Sequence, residues 1–174
     1  ARFRQSSHEF LGVDRDRAYP QEFVTALTES GFLACLIPEE YGGSGLDITH
    51  AGAILEEIHH AGCNGGACHA QMYTMGSVLR HGSDAQKELY LPKIATGELR
   101  LQAFGVTEPT SGTDTLSLRT TAVKDGNDSY VVNGQKIWTS FGDQADYCYM
   151  ICRTDSEGPP HKGISEIVVP MDLP

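Results

Sequence analysis

The chain contains no run of about 18 uninterrupted apolar residues, the length that a helix needs to cross a bilayer. Residues 1–10 have no apolar core of the kind that a secretory signal carries. Basic residues are scarce, with 13 Lys and Arg against 23 Asp and Glu, and none of them forms a run that could follow a phosphate backbone. We therefore expect an acidic intracellular protein, with neither a membrane nor a nucleic acid as its partner.

The five cysteines are an odd number, and a chain without an export signal is expected to keep them reduced. Within residues 59–69, Cys63 and Cys68 stand beside histidines, and thiolates with imidazoles are a ligand set that zinc prefers. A zinc motif normally has a second pair nearby, whereas Cys148 and Cys152 lie far downstream in strand-like sequence. We therefore favour a Gly-rich turn between two helices and expect no metal.

The first hundred residues have the apolar spacing of helices. Apolar side chains recur every three or four positions in four segments that begin near Pro20, Asp47, Met72 and Ser83. Asp47 is a potential N-cap, and Ser83 with Gln86 has the form of a capping box. Pro92 suggests a kink in the fourth helix. Each segment ends at a glycine, which favours a helix stop: Gly31, Gly62, Gly82 and Gly97.

After about residue 100, β-branched residues alternate with polar ones, which favours strands. A turn is predicted at 125–128, and Asn133-Gly134 is the strongest short hairpin signal. The chain is therefore predicted to be α+β, with an all-α domain at 1–100 and an antiparallel β domain at 101–174. Strands are predicted within residues 117–123, 130–132, 137–139, 146–153 and 164–169.

Two loops combine turn residues with hydroxyl side chains. In residues 104–114, glycines and a proline could let successive N–H groups converge, and Thr107, Ser111 and Thr113 add hydroxyl donors for a phosphate or a polar ring edge. A plain domain linker is the alternative interpretation. In residues 135–140, the only tryptophan, Trp138, could stack on a flat cofactor, with core packing as the alternative.

Four motifs in this order resemble the acyl-CoA dehydrogenase family. Thr107-Glu108-Pro109 followed by Gly112-Thr113-Asp114 is similar to the family signature, in which Thr-Glu-Pro precedes Gly-Ser-Asp. Residues 133–138 look like the family's next strand turn, residues 37–43 like its first interhelical loop, and residues 86–91 with Gly97-Glu98 like its domain junction. The resemblance covers essentially the whole chain, and four ordered motifs are far more specific than any one of them.

The resemblance implies a multidomain fold: an N-terminal helical domain, then an incomplete, barrel-like antiparallel middle domain, with the family's C-terminal helical bundle absent from this chain. Phe3, Phe10 and Leu11 are typical of the tail of an opening helix. Because the family's catalytic base is a carboxylate of the C-terminal bundle, no catalytic residue is expected here. Glu108 and Asp114 are expected instead to accept backbone hydrogen bonds in their own loop.

The resemblance also implies the chemistry of the parent protein. The family removes a proton from Cα and a hydride from Cβ of an acyl-CoA thioester, and N5 of FAD accepts the hydride. The implied partners are the acyl-CoA substrate, an electron-transfer flavoprotein as electron acceptor, and further copies of the chain in a dimer or tetramer. The bacterial cytoplasm or the mitochondrial matrix is the implied location. The fragment alone is expected to be inactive and to bind FAD weakly.

Particular residues take their expected roles from the same resemblance. Thr107 is expected at the polar edge of the flavin, Trp138 over one face, and Ser140 near N5. The full cofactor set is Phe104, Val106, Thr107, Gly112, Thr113, Trp138 and Ser140, in which Gly112 and Thr113 approach the phosphates and the thioester arm. Thr113, Thr139 and Ser140 stand where the family usually has serine, isoleucine and threonine.

The acyl tail is expected against the third helix, because that helix lines the substrate pocket in the family. The candidates are Cys68, His69, Met72 and Tyr73, together with Thr113 for the thioester arm, and ordinary helix packing explains each helical candidate equally well. Two alternatives stay open: an acyl-CoA oxidase or flavin monooxygenase of the same fold, and a non-catalytic flavin- or CoA-binding module. Acyl chain length and branching are not defined by these residues.

Overall fold

The structure is a computed structural model that describes residues 19–173. The expected end of an opening helix at Phe3, Phe10 and Leu11 lies outside the described residues. The chain divides into two compact units, Ala1–Leu101 and Gln102–Pro174, which we call the helical unit and the sheet unit.

The helical unit contains four α-helices among its described residues. They are α1 (Gln21–Glu29), α2 (Ile48–His60), α3 (Gly66–His81) and α4 (Asp84–Thr96), with short 3-10 turns at Phe32–Ala34 and Glu39–Tyr41. The order confirms the four predicted helices. The third begins earlier than its apolar spacing indicates, because Ala67 and Ala70 also pack inward. Cys68 and His69 are therefore helical and not part of the Gly-rich turn.

Local side-chain contacts begin these helices. The Asp47 carboxylate accepts from the amides of Thr49 and His50 at 2.9 and 3.3 Å. The predicted capping box is confirmed, since Ser83 Oγ accepts from the Gln86 amide at 3.3 Å and Gln86 Oε1 accepts from the Ser83 amide at 2.9 Å. Helix α4 continues through Pro92 to Thr96 and ends at Gly97, whose φ of 78° is left-handed.

The sheet unit is built from five strands among its described residues: β1 (Leu101–Gly105), β2 (Thr121–Asp125), β3 (Ser129–Asn133), β4 (Tyr147–Arg153) and β5 (Ile164–Pro170). The strand order is β1-β4-β2-β3, and β5 also pairs with β4. Strands β2 and β3 form an antiparallel hairpin in which Val123 lies opposite Val131. Strands β4 and β5 are antiparallel from Tyr147↔Pro170 to Arg153↔Ile164, and β2 meets β4 in parallel only at Thr121↔Arg153.

Three strand predictions were wrong. Strand β1 was missed, residues 137–139 are not a strand, and Asn133-Gly134 does not join two strands. The observed hairpin turn lies between Asp125 and Ser129, where a turn was also predicted. Gly134 serves a different purpose, because its backbone passes so close to Thr120 that a Cβ would overlap the threonine side chain. Strands cover less than half of residues 101–170, and turns and loops make up the rest.

The five cysteines are free and buried. Burial raises the pKa of the Cys68 thiol to about 12. Within residues 19–173, no cluster of three or more His, Cys, Asp or Glu side chains could hold a metal ion. None of the helices in the described part of the chain is long and apolar enough to cross a membrane.

Candidate functional site

The centre of the candidate site is a buried ion pair in the sheet unit. Lys136 Nζ lies 2.9 Å from Glu108 Oε1, and the two side chains are 10% and 3% exposed. The Glu108 carboxylate also accepts the backbone N–H groups of Arg119 at 2.6 Å and of Thr120 at 2.8 Å. Through these bonds, one carboxylate connects its own segment to two others that are distant in sequence.

The surroundings of Glu108 keep it ionised. Burial of the carboxyl group acts to raise its pKa, but the interactions with Thr120, Arg119 and Lys136 outweigh burial and lower the pKa from 4.5 to about 2. A carboxylate with such a low pKa is a poor proton acceptor near neutral pH. Glu108 is therefore suited to a structural task and not to that of a general base.

Two loops meet at Lys136. We call residues 106–114 the first loop and residues 134–145 the second loop. Lys136 Nζ donates to the Val106 carbonyl at 2.9 Å, in addition to its bond with Glu108. The Ile137 N–H donates to the Thr107 carbonyl, also at 2.9 Å. The structure thus brings together the two loops that the sequence suggested as ligand sites.

Contacts within the first loop explain its compact shape. The backbones of Glu108 and Ser111 exchange two hydrogen bonds, at 2.9 and 3.2 Å. Ser111 Oγ donates to the Asp114 carbonyl at 2.5 Å, and the Asp114 carboxylate accepts from the Ser117 hydroxyl. Both acids accept hydrogen bonds, as expected. The partners of the Glu108 carboxylate, however, lie outside the first loop. The partner of the Asp114 carboxylate is a hydroxyl group and not a backbone amide.

Trp138 occupies an unusual position in the second loop. The residue is 85% exposed, so it is not a core residue of the described chain. Its φ is 60°, and Phe141 three positions later has a φ of 59°. A left-handed backbone costs a non-glycine residue on the order of 1–2 kcal/mol. Such strain at a large exposed aromatic is typical of a functional loop.

The other cofactor candidates differ in their exposure. Phe104 is half-buried at the end of β1, with its ring centroid 6.0 Å from that of Tyr149. Val106 and Thr107 are half-buried, and their carbonyls bind the second loop. The remaining candidates, Gly112, Thr113 and Ser140, are exposed. The hydrogen bonds thus join Val106 and Thr107 directly to the segment that carries Trp138.

The predicted substrate residues of the helical unit lie on α3. Cys68 and Met72 are buried, which agrees with ordinary helix packing. His69 and Tyr73 are exposed one turn apart, with ring centroids 5.1 Å apart in an edge-to-face arrangement. They form an aromatic pair on the helix surface.

The helical unit also contains an apolar cavity of about 420 Å³ among its described residues. Its lining is hydrophobic except for Glu57, and it includes Phe23, Leu27, Phe32 and Ile54. None of the predicted substrate residues lines it. With one carboxylate and no other ionisable group except the Cys63 thiol, the cavity offers few groups for chemistry.

Sequence reasoning missed the role of Lys136. A usable signal was present: an isolated lysine in one candidate loop and an isolated glutamate in the other, both in otherwise weakly charged segments. Gly105 belongs to the same arrangement, because a Cβ there would lie 3.3 Å from Cys148 Sγ and 3.4 Å from Lys136 Cγ. The glycine leaves room for the lysine stem.

Comparison with known proteins gives two family matches, one for each part of the chain. The family described as acyl-CoA dehydrogenase, N-terminal domain, matches residues 6–98, and acyl-CoA dehydrogenase, middle domain, matches residues 103–174. The chain belongs to the acyl-CoA dehydrogenase family.

Individual relatives give the same picture. Acyl-CoA dehydrogenase FadE29 of Mycobacterium tuberculosis is 41% identical over 167 residues, which cover 94% of this chain and 42% of that protein. The crystal structure of an acyl-CoA dehydrogenase from Geobacillus kaustophilus matches with a TM-score of 0.81 and 38% identity, over 90% of this chain and 41% of that one. The prolyl acyl carrier protein oxidase AnaB matches with a TM-score of 0.83 and 28% identity, over 99% of this chain and 48% of that one. This chain therefore spans less than half the length of these relatives.

Proposed function

We propose that the full-length protein is an FAD-dependent acyl-CoA dehydrogenase, to which this chain contributes the helical domain at 1–100 and part of the middle domain at 101–174. The observation that carries the proposal is the pairing of the two loops through Lys136 and Ile137, beside the exposed and strained Trp138. Membership of the family supports the same reaction.

The residues present fit a flavin. Trp138 offers an exposed aromatic face, and Thr107, Thr113 and Ser140 are hydroxyl donors in or beside the two joined loops. The first loop also has open space at Gly112, where a Cβ would meet no atom within 4 Å. In this proposal Phe104, Val106, Thr107, Trp138 and Ser140 hold the ring, and Gly112 and Thr113 face the phosphates and the thioester arm.

FAD, when bound, supplies the acceptor for the substrate hydride. The Thr107 and Ser140 hydroxyls would hold the ring edge by donating hydrogen bonds, and such donors would favour the negatively charged reduced form. Trp138 would cover the ring and keep water from it. Glu108 is unsuited to be the proton acceptor, because it is buried in an ion pair with a pKa of about 2. We place the acceptor outside this chain, as the family resemblance implies.

The substrate and partners follow from the same proposal. The substrate is an acyl-CoA, with His69, Tyr73 and Thr113 as its contacts in this chain. Met72, the remaining candidate, is buried and is explained by helix packing. Electrons pass to an electron-transfer flavoprotein, and the full-length protein forms a dimer or tetramer in the bacterial cytoplasm or the mitochondrial matrix.

An oxidase is the second candidate, because one of the structural relatives is an acyl carrier protein oxidase. The two reactions differ in the electron acceptor. Substrate-dependent oxygen consumption by the full-length protein would favour the oxidase, and reduction of an artificial electron acceptor without oxygen consumption would favour the dehydrogenase.

The flavin assignment is tested by two variants of the full-length protein. Trp138→Ala removes a large flat contact, with an expected loss of about 2–4 kcal/mol in flavin binding, so flavin should be lost on dialysis. Thr107→Val removes one hydrogen bond worth about 0.5–1.5 kcal/mol, so it should retain flavin but bleach more slowly when acyl-CoA is added without oxygen.

Tyr130→Ala provides the matched control, because Tyr130 is a half-exposed aromatic of β3 that belongs to neither loop. It should retain wild-type flavin content. Full flavin content and an unchanged absorption spectrum in Trp138→Ala would contradict the assignment of the second loop to the cofactor.

A further inference from the structure

We propose that the Glu108–Lys136 ion pair is a positioning device that holds Trp138 in its strained conformation against the first loop. The purpose we assign to it, keeping the tryptophan face in place for the flavin, rests on the proposed function. Neither residue is assigned contact with the cofactor or the substrate.

The first step is that Trp138 needs an external restraint. Its backbone is left-handed, with a φ of 60°, which an L-residue adopts only when its surroundings impose it. The residue is 85% exposed within the described chain, so packing of the indole does not supply that restraint. The restraint must come from neighbouring residues of the second loop.

The second step is that these neighbours are fixed on both sides. Before Trp138, Lys136 Nζ binds Glu108 and the Val106 carbonyl, and the Ile137 N–H binds the Thr107 carbonyl, each at 2.9 Å. After it, the Phe141 carbonyl accepts the N–H groups of Gln144 and Ala145 at 3.0 and 2.9 Å. The three hydrogen bonds before Trp138 connect it to the first loop, and Lys136 provides two of them.

The third step is that Glu108 is a fixed point and not a mobile acid. Its carboxylate accepts the amides of Arg119 and Thr120 as well as the lysine, and its side chain is 3% exposed. Buried ion pairs often give little more stability than apolar side chains of the same shape. The lysine of this pair lies two residues before the strained Trp138. The pair is therefore better explained by a role in positioning Trp138 than by a gain in stability.

The test neutralises both charges in the full-length holoenzyme. Glu108→Gln with Lys136→Met keeps the length of the first side chain, shortens the second by one atom and leaves no buried unpaired charge, so the variant should fold. We expect it to unfold cooperatively but at a lower temperature than the wild type, because the glutamine amide has one oxygen where the carboxylate used two to accept the Arg119 and Thr120 N–H groups. Its flavin absorption spectrum should change, and its flavin should dissociate about tenfold more readily, or about 1.4 kcal/mol. The exposed pair Lys93–Glu98, changed to Met and Gln, is the matched control and should retain wild-type flavin.

A double-mutant cycle separates positioning from general stabilisation. If the ion pair acts through Trp138, neutralising it in a Trp138→Ala background should cause no further loss of flavin. Additive losses in that background would overturn the positioning role and leave the flavin assignment intact. A Trp138→Ala variant with unchanged flavin would instead contradict the proposed function.

A readout without flavin tests positioning on its own. In the full-length protein stripped of flavin, Trp138 emission is isolated by subtracting the emission of a Trp138→Phe variant. Time-resolved anisotropy should then show an added fast component after the ion pair is neutralised, because the indole gains local motion. Identical anisotropy decays with and without the ion pair would overturn the proposal, whatever the flavin results.

Discussion

The helical unit and the sheet unit use charged side chains in opposite ways. Among the described residues of the helical unit the pairs are local and exposed. The His50 ring lies 2.8 Å from the carboxylate of Asp47, three residues earlier, and Lys93 lies 3.8 Å from Glu98, with side chains 45% and 67% exposed. In the sheet unit, Glu108 and Lys136 are 28 positions apart in sequence and buried. Exposed pairs contribute about 0–1 kcal/mol, whereas a buried charge that loses its partner is costly. The sheet unit should therefore be far more sensitive to the loss of one charge.

The largest expected effect is that of Lys136→Met. It leaves the Glu108 carboxylate buried without its cation, so the free energy of unfolding of the full-length protein should fall by about 3–5 kcal/mol. Lys93→Met, at the exposed pair, should change it by less than about 0.5 kcal/mol. Urea unfolding of both variants measures the difference. Equal losses of unfolding free energy in the two variants would contradict the difference between the two units.

A second expected effect is a dependence on pH. The folded pKa of Glu108, about 2, lies below its ordinary value of 4.5, so the unfolded chain binds the proton more readily. The resulting stabilisation, about 3 kcal/mol, is fully present above pH 4.5 and is lost as the pH falls towards 2. The free energy of unfolding, measured as the pH is lowered from 5 to 3, should fall more steeply for the wild type than for Glu108→Gln. Parallel curves would show that Glu108 titrates normally.

A smaller effect is expected at Gly105. A Cβ would press on Cys148 Sγ and the Lys136 stem at 3.3 and 3.4 Å, so Gly105→Ala should destabilise the sheet unit by about 1–3 kcal/mol. Gly112→Ala is the matched control, since a Cβ there meets no atom within 4 Å. Thermal unfolding of both variants tests this. Unchanged thermal unfolding of Gly105→Ala would indicate that the Lys136 side chain can shift without loss of stability.

The smallest expected effect is local and lies in the helical unit. Ser83→Ala removes the N-cap of α4 and should cost about 1 kcal/mol. Ser83→Asp keeps an acceptor at the cap and should restore most of the loss, as measured by thermal unfolding. If both variants lost the same stability, the hydroxyl would matter for a reason other than capping.

The outcome of the sequence predictions follows the same division. Asp47, Ser83 and Gly97 mark helix ends through contacts within four residues, and these predictions were confirmed. Strand β1 was missed because Leu101–Gly105 is too short for its alternation to stand out and was partly assigned to the loop that follows. Asn133-Gly134 has the composition of a hairpin turn, but Gly134 is needed for a close approach to Thr120, a residue fourteen positions earlier.

The sequence by itself determined the helices, the turn between β2 and β3, and the two loops that carry the family motifs, because each depends on neighbouring residues or on the order of motifs. Only the tertiary structure decided that Lys136 joins Glu108, that Ile137 binds Thr107, and that Trp138 is exposed in a left-handed backbone. These features depend on which distant segments meet and on how much water is excluded between them. A buried charge needs a partner that is close in space, and the sequence alone does not show which distant residues lie close together.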